Sequence, residues 1–356
     1  LVSAFVEEMD LSELYKTYSR IRKNQATPRQ MLKLVIYAVM NRIYSSRDIQ
    51  KACKRDINFM YLLEGMPAPD HATIARFISL HFSACAKVLL AQMSDLLYLL
   101  GEISGKTIFI DGTKIESAAN KYTFVWKRAI TKNQARLYTK LSSFVAECEE
   151  LYGIRTVYHD RISIHTLKRL KKQLCRVKVQ EGIVFVHGIG RRKTQLQKSL
   201  EQLDQYLEKL KEYTKKLYTL GDRNSYSKTD SDATFMRMKE DAMLNGQLKS
   251  AYNIQHGVDS EYIIWIDISP RPTDTCTLIP FLKDMESHLG FKYSEIVADA
   301  GYESEENYLF LESNGQLSYI KPANYKISKT RKYKMILGKL KTWSMILWRI
   351  PISAGT

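Results

Sequence analysis

Two stretches decide how this chain folds: Lys106-Thr-Ile-Phe-Ile-Asp-Gly112 and, far downstream, Glu295-Ile-Val-Ala-Asp-Ala-Gly-Tyr302. Each is a short β-branched and apolar run that ends in an aspartate at a glycine turn. That pattern predicts a strand delivering a carboxylate to its C-terminal edge. Side by side, two such strands would bring Asp111 and Asp299 to one sheet edge. Carboxylates that close repel one another. The pair is tolerated when Mg²⁺ or Mn²⁺ binds between them, as in metal-assisted phosphoryl transfer. Taken singly, an aspartate before glycine at a strand end is a turn residue, and spacing alone leaves both readings open.

Around these stretches the pattern changes by region. Residues 1–100 read as helices: Met31, Leu32, Val35, Ile36, Val39 and Ile43 recur at three- and four-residue spacing, with Pro28 in a first turn. Gly65-Met-Pro-Ala-Pro69 breaks the pattern, and Asp70 offers an N-cap to a helix over His71–Leu80. A helix, a Pro-containing break and a capped helix resemble a helix-turn-helix, although an ordinary bundle would read alike. Leu137, Leu141, Phe144, Cys148 and Leu151, and again Leu196, Leu200, Leu203, Leu207 and Leu210, step by four and three, which predicts an antiparallel helical pair. Beyond Gly221 a hairpin (Ser250–Val258 and Glu261–Ser269), a helix (Thr277–Leu289), the Asp299 strand, a helix (Glu303–Glu312) and a strand (Gln316–Lys321) predict an α/β sheet with helices packed on it.

Charge names a partner. The 356 residues carry 54 Lys and Arg against 38 Asp and Glu. Residues 121–228 hold 24 basic and 10 acidic side chains, so one internal segment supplies nearly all of the +16. A surface laid against a polyanion has that signature. The densest clusters are Lys168, Arg169, Lys171 and Lys172, and Arg191, Arg192 and Lys193; a solvated helix face is the plainer reading. Tyr122, Phe124 and Trp126 alternate among Lys121, Lys127 and Arg128, a pattern suited to stacking on bases or, more plainly, to packing in the core. The five cysteines form no CxxC pair and the seven histidines no ligand cluster, which argues against a disulfide scaffold and a zinc site. No run approaches eighteen apolar residues without a charge, no secretory leader is readable, and the chain opens on Leu1. A cytoplasmic, nucleoid-associated protein is expected, with no membrane partner.

The wording around the two aspartates goes further. Ile110-Asp-Gly-Thr-Lys-Ile-Glu-Ser-Ala-Ala-Asn-Lys-Tyr-Thr-Phe-Val-Trp-Lys127 strongly resembles the first-aspartate segment of DDE-type insertion-sequence transposases. Asp230-Ser-Asp-Ala-Thr-Phe-Met-Arg-Met238, Gly246-Gln-Leu-Lys-Ser-Ala-Tyr-Asn-Ile254 and Ala298-Asp-Ala-Gly-Tyr-Glu-Ser304 resemble successive blocks of the same family. The stretch through Phe59 and Pro69-Asp-His-Ala-Thr-Ile-Ala-Arg-Phe77 resembles its helical DNA-binding domain. The resemblance spans about residues 1–334. It implies an RNase H-like mixed sheet flanked by helices (α/β, α+β), an all-helical N-terminal domain and a long helical insertion. It also implies two divalent ions, Mg²⁺ or Mn²⁺, held by Asp, Asp and Glu, which nick transposon ends and transfer the 3′-hydroxyl to target DNA. On that template Asp111 and Asp299 are the first two carboxylates. Arg76, Lys121, Lys127, Arg128, Lys168, Arg169, Lys171, Lys172, Arg191, Arg192 and Lys193 contact DNA, and the protein acts on terminal inverted repeats as a homo-oligomer.

The expected division is 1–103 for the helical DNA-binding domain, 104–128 with 229–334 for the catalytic core, 129–228 for the basic insertion and 335–356 for a tail. The third carboxylate belongs on a helix well past the last strand, yet Glu312 is the last acid and precedes that strand. Glu303, Glu305 and Glu306 follow Asp299 too closely, Glu116 lies just past Asp111, and Asp267 and Asp274 belong to the hairpin and its exit. From Met335 the resemblance lapses. A one-base shift would turn the codons of Met335–Ser344 into Asn-Asp-Ile-Gly-Lys-Ile-Glu-Asn-Met-Glu, so 335–356 reads as an out-of-frame tail. The expectation is a transposase whose copy here is inactive; a non-catalytic DNA-binding remnant and an RNase H-like nuclease are the alternatives.

Overall fold

A computed structural model describes residues 2–21, 24–120, 122–158, 160–188, 190, 192–238, 246–322, 329–331 and 335. The tail expected over 335–356 lies, except for Met335, outside them. In chain order the elements are α1 (Val2–Glu8), α2 (Ser12–Lys16), α3 (Pro28–Met40), α4 (Ser46–Arg55), α5 (Ile57–Leu63), α6 (His71–Arg76), a π-helical turn Phe77–Phe82 and α7 (Ser83–Leu99). Then follow β1 (Thr107–Glu116), β2 (Phe124–Trp126), α8 (Lys127–Tyr152), α9 (Ile164–Gln180), α10 (Gln195–Leu220), β3 (Ser225–Ser227), β4 (Thr234–Arg237), β5 (Leu248–Asp259) and β6 (Tyr262–Ser269). The chain continues through α11 (Leu278–Glu286), β7 (Glu295–Ala298), α12 (Glu305–Ser313) and β8 (Leu317–Ile320). It divides into two compact units, one of residues 1–113, 254–269 and 273–356, the other of 114–253 and 270–272.

The first unit contains two cores. In the N-terminal one, α3 opens on a capping box in which Gln30 N donates to Thr27 Oγ1 at 3.3 Å and Thr27 N to Gln30 Oε1 at 2.8 Å. Met31, Leu32, Leu34 and Val35 then pack with Phe59, Ile74 and Phe77, whereas Val39, which the spacing assigned to the same stripe, is half exposed near the helix end. Lys33 is buried in this core, where its Nζ meets Glu7 at 2.6 Å and Glu64 at 2.9 Å. Asp70 caps α6 by accepting from Ala72 N at 2.8 Å. The helical run His71–Leu99 is apolar and long enough, by composition alone, to cross a membrane. Within it, however, Lys87 pairs with Asp267 and Asp284, and the Ser94 hydroxyl donates to Ile264 O on β6 at 2.9 Å, so the helix packs on the sheet as a core element.

That second core is the mixed sheet expected. β1 runs parallel to β7, and β7 parallel to β8, in the register Ile110↔Ala298↔Ile320. β5 flanks β1 on the other side and carries β6. One face buries Ile108, Ile110, Ile296, Ala298 and Ile320 under Leu278, Phe281 and Leu282 of α11 and Leu311 of α12. The close approach of Phe281 and Ile108 requires a glycine at 257, where a Cβ would lie 2.6 Å from Ile108.

In the second unit the helical pair becomes a trio. Leu137, Leu141, Phe144 and Cys148 of α8 and Leu196, Leu200, Leu203, Leu207 and Leu210 of α10 share a core with Leu167, Leu170 and Leu174 of α9. Leu151 does not join it: one residue from the end of α8, it is exposed. β2 pairs with β3, and β4 with the leading half of β5. Asp230 joins these loops by accepting from Tyr252 Oη at 2.8 Å and Ser117 Oγ at 2.5 Å. The Ser117 hydrogen bond chiefly holds its carboxyl below the usual range.

Candidate active site

Alternation along β1 and β7 puts Asp111 and Asp299 together. Pairing of the parallel strands ends at Ile110 opposite Ala298, so the two aspartates are the next residues on neighbouring chains, whose backbones run about 4.8 Å apart. Ile110 and Ala298 point into the core; the residues after them point out from the opposite face, and both are exposed. The same face carries Phe109, Val297, Leu317 and Tyr319, with Phe109, Leu317 and Tyr319 more than half exposed. Asp111 Oδ1 accepts from Gly112 N and Asp299 Oδ1 from Gly301 N, each at 2.8 Å, so each glycine turn orients its own carboxylate.

A third aspartate, which the sequence placed only at the hairpin exit, arrives here. Asp274 opens a 3₁₀ turn, Asp274–Cys276, and its Oδ1 accepts from Gln255 Nε2 at 3.2 Å. Gln255 is fully buried and in turn accepts from the Tyr302 hydroxyl. The Thr275 hydroxyl donates to Gly301 O at 3.0 Å, and Asn307 Nδ2 bridges Thr275 O and Tyr302 O at 3.0 and 2.7 Å, tying this turn to the one after Asp299. Burial first, then the negative charges of Asp274, Asp111 and Asp299, push the Tyr302 hydroxyl far above the ordinary tyrosine range, so it remains a donor. The sequence held one signal for this arrangement, a threonine-flanked aspartate closing the Pro-rich exit Pro270-Arg-Pro-Thr-Asp-Thr275, but nothing in it locates that exit beside β1.

Two glycines let these side chains approach the backbone closely. A Cβ on Gly112 would lie 2.6 Å from Gln255 Nε2 and 2.8 Å from Asp274 Oδ1; one on Gly301 would lie 2.9 Å from Asp299 Oδ1 and 3.3 Å from Asp274 Oδ2. Among the described residues no three His, Cys, Asp or Glu side chains stand close enough to cage an ion alone. An exposed, oxygen-only carboxylate pair nevertheless fits a divalent cation such as Mg²⁺, which binds through one or two carboxylates and keeps its remaining positions for water or phosphate.

The expected DNA contacts fall in several places. Lys121 and Arg191 lie outside the described residues. Arg76 is exposed at the end of α6, where it lines a cavity of ≈ 220 Å³ with Arg20, Thr73 and His81. Arg128, Lys168, Arg169, Lys172 and Arg192 are exposed. Lys168, Lys172 and Arg176 line an open concavity of ≈ 680 Å³ along α9. Lys171 pairs with Asp204 at 2.5 Å, Lys193 with Glu201 at 2.7 Å, and Lys127 donates to Gly221 O at 3.1 Å, so part of their donor capacity is used internally. Phe124 and Trp126 pack on Phe235, with ring centroids 5.6 and 6.1 Å apart, while Tyr122 is exposed.

Two family models match the chain. Residues 1–80 match a family described as a transposase domain (DUF772), and residues 223–344 match the transposase DDE domain. The second match contains Asp274 and Asp299 and continues past Met335; the strand carrying Asp111 falls between the two. No curated protein and no solved structure matches the chain.

Proposed function

Because the chain belongs to the DDE-type insertion-sequence transposases, a DNA-binding and divalent-metal-dependent family, we propose that Asp111 and Asp299 are two of its metal-holding carboxylates. The observation that carries this reading is the parallel register of β1 and β7, which ends just before both aspartates. The two would hold Mg²⁺ or Mn²⁺, which supplies activation of the attacking oxygen and stabilisation of the leaving oxygen at phosphorus. The glycine turns orient both carboxylates. The exposed cations of α9, together with Arg76, Arg128 and Arg192, neutralise backbone phosphates of the transposon ends and of target DNA, and the protein assembles as a homo-oligomer on that DNA at the nucleoid.

Among these 356 residues no acid follows Glu312. A polypeptide of these 356 residues, tested by itself, is expected to occupy transposon ends and to cut them weakly or not at all; a DNA-binding protein that does not cut is the second reading. The test uses labelled pre-cleaved end DNA and a target plasmid with Mn²⁺, comparing the wild type with Asp111→Asn. Binding without joining is the expected result. Robust joining that disappears in Asp111→Asn would overturn the inactivity and leave the site standing. Joining that persists in Asp111→Asn would overturn the site.

A further inference from the structure

We propose that the cavity lined by Arg20, Thr73, Arg76 and His81 in the N-terminal helical core takes one unpaired nucleobase of DNA, read at its hydrogen-bonding edge. The proposal rests on the DNA-binding reading given above and deepens it, since that reading uses Arg76 only as a phosphate contact. His81 belongs to the π-helical turn Phe77–Phe82, a form of turn frequent at functional sites. Its imidazole is held from two sides. The ring stacks on Tyr18, with centroids 3.8 Å apart and planes 9° off parallel, and Nδ1 lies 2.8 Å from the Thr17 hydroxyl oxygen. That hydroxyl also lies 2.7 Å from Leu14 O, which has no proton to give, so the hydroxyl donates there. The Thr17 oxygen therefore accepts from Nδ1–H. Burial first, then the charge of Arg76, hold His81 below the ordinary histidine range, so the ring is neutral at physiological pH. Nδ1 carries its one proton, and Nε2 is left as an acceptor.

Donors accompany that acceptor. Arg20 and Arg76 line the cavity and are exposed, and among the described residues neither guanidinium has a hydrogen-bond or ion-pair partner. A fully ionised phosphate would satisfy the arginines but brings no proton for Nε2. The edge of a nucleobase carries donors beside acceptors and satisfies both. A paired base shows only its groove edge, whereas a base turned out of the stack enters a pocket and is read there by hydrogen bonds and apolar packing. Size agrees with a single base: ≈ 220 Å³ lies below the roughly 300 Å³ at which pockets for drug-sized ligands begin. Met31 and Phe77 supply the apolar wall. A second hollow of ≈ 260 Å³ shares Gln25, Met31 and Thr73 with the first, which leaves room for the attached sugar.

The experiment measures binding of the full chain, in EDTA, to a labelled DNA duplex with one extra, unpaired cytosine and to the same duplex with that position abasic. Fluorescence anisotropy gives both affinities for the wild type, His81→Phe and Arg76→Gln. The wild type is expected to bind the cytosine duplex about tenfold more tightly than the abasic one, and both variants to lose that ratio. If Arg76 serves only a phosphate, Arg76→Gln weakens both duplexes alike and keeps the ratio, which overturns the proposal. Equal binding of the two duplexes by the wild type overturns it as well and leaves DNA binding intact, whereas failure to bind either overturns both readings. Free dCMP carries the same edge and forms the second arm. It is expected not to bind at the micromolar concentrations used for the duplex, because it lacks the flanking phosphates; binding as tight as the duplex would make a free nucleotide the ligand and overturn the assignment to DNA. Should His81→Phe melt early, Arg76→Gln, at an exposed position, carries the same outcomes.

Discussion

Gly112 shows how narrowly the site is built. It follows the first aspartate, yet its importance comes from three side chains that the rest of the fold brings against it. A methyl there would meet Gln255 at 2.6 Å, Asp274 at 2.8 Å and the Tyr302 hydroxyl at 3.2 Å, all of them held by one another. Gly112→Ala is therefore expected to destabilise the fold by about 1–3 kcal/mol, the usual cost of overpacking, as measured by urea denaturation. A variant as stable as the wild type would mean that this cluster yields easily. At this scale the sequence revealed Asp111 and Asp299, because each ends a β-branched run at a glycine turn. It did not reveal Asp274. A residue at a hairpin exit carries no local mark of where the chain returns, and only the pairing of β5 beside β1 places it.

Among the elements, α9 was the least legible. Leu167, Leu170 and Leu174 have helical spacing, but cations interleave them, and the leucine repeats on either side predict only a pair of helices, with a solvated helix face as the plainer reading of the charge. The structure instead makes the charge one face of a helix whose other face is core. That changes which cations are available. Lys171 of α9 and Lys193, ahead of α10, already face Asp204 and Glu201; Lys168, Arg169 and Lys172 of α9 and Arg192, ahead of α10, are exposed. If about five phosphates are neutralised, the log–log salt slope of end-DNA binding is roughly −4.5, and each contact removed flattens it by about 0.9. Replacing Lys168 and Lys172 with glutamine is expected to flatten the slope more than replacing Lys171 and Lys193. No effect from Lys168 and Lys172 would identify this face of α9 as merely solvated, and equal effects would mean that the ion pairs do not withhold Lys171 and Lys193 from DNA. The leucine repeats of α8 and α10 were readable because an amphipathic face leaves a three-to-four period in the sequence; Leu151 strayed from it because α8 ends at the next residue.

Across the whole molecule, the helical N-terminal core and the sheet core follow from periodicity and from the two strand-ending aspartates. The partition of the chain does not, because β1 and β5 each run through both units. A strand that leaves one unit for the other looks continuous in sequence. On the proposed reading, residues 188 positions apart in the chain, Asp111 and Asp299, share one divalent cation. Iron-directed backbone cleavage tests that sharing: Fe²⁺ replaces the native ion, and ascorbate with peroxide generates hydroxyl radicals that cut the nearest peptide bonds. Cuts are expected next to both Asp111 and Asp299 in the same sample, suppressed by excess Mg²⁺ and absent in Asp111→Asn and in Asp299→Asn. Cuts beside only one of them, or cuts that survive both substitutions, would contradict it.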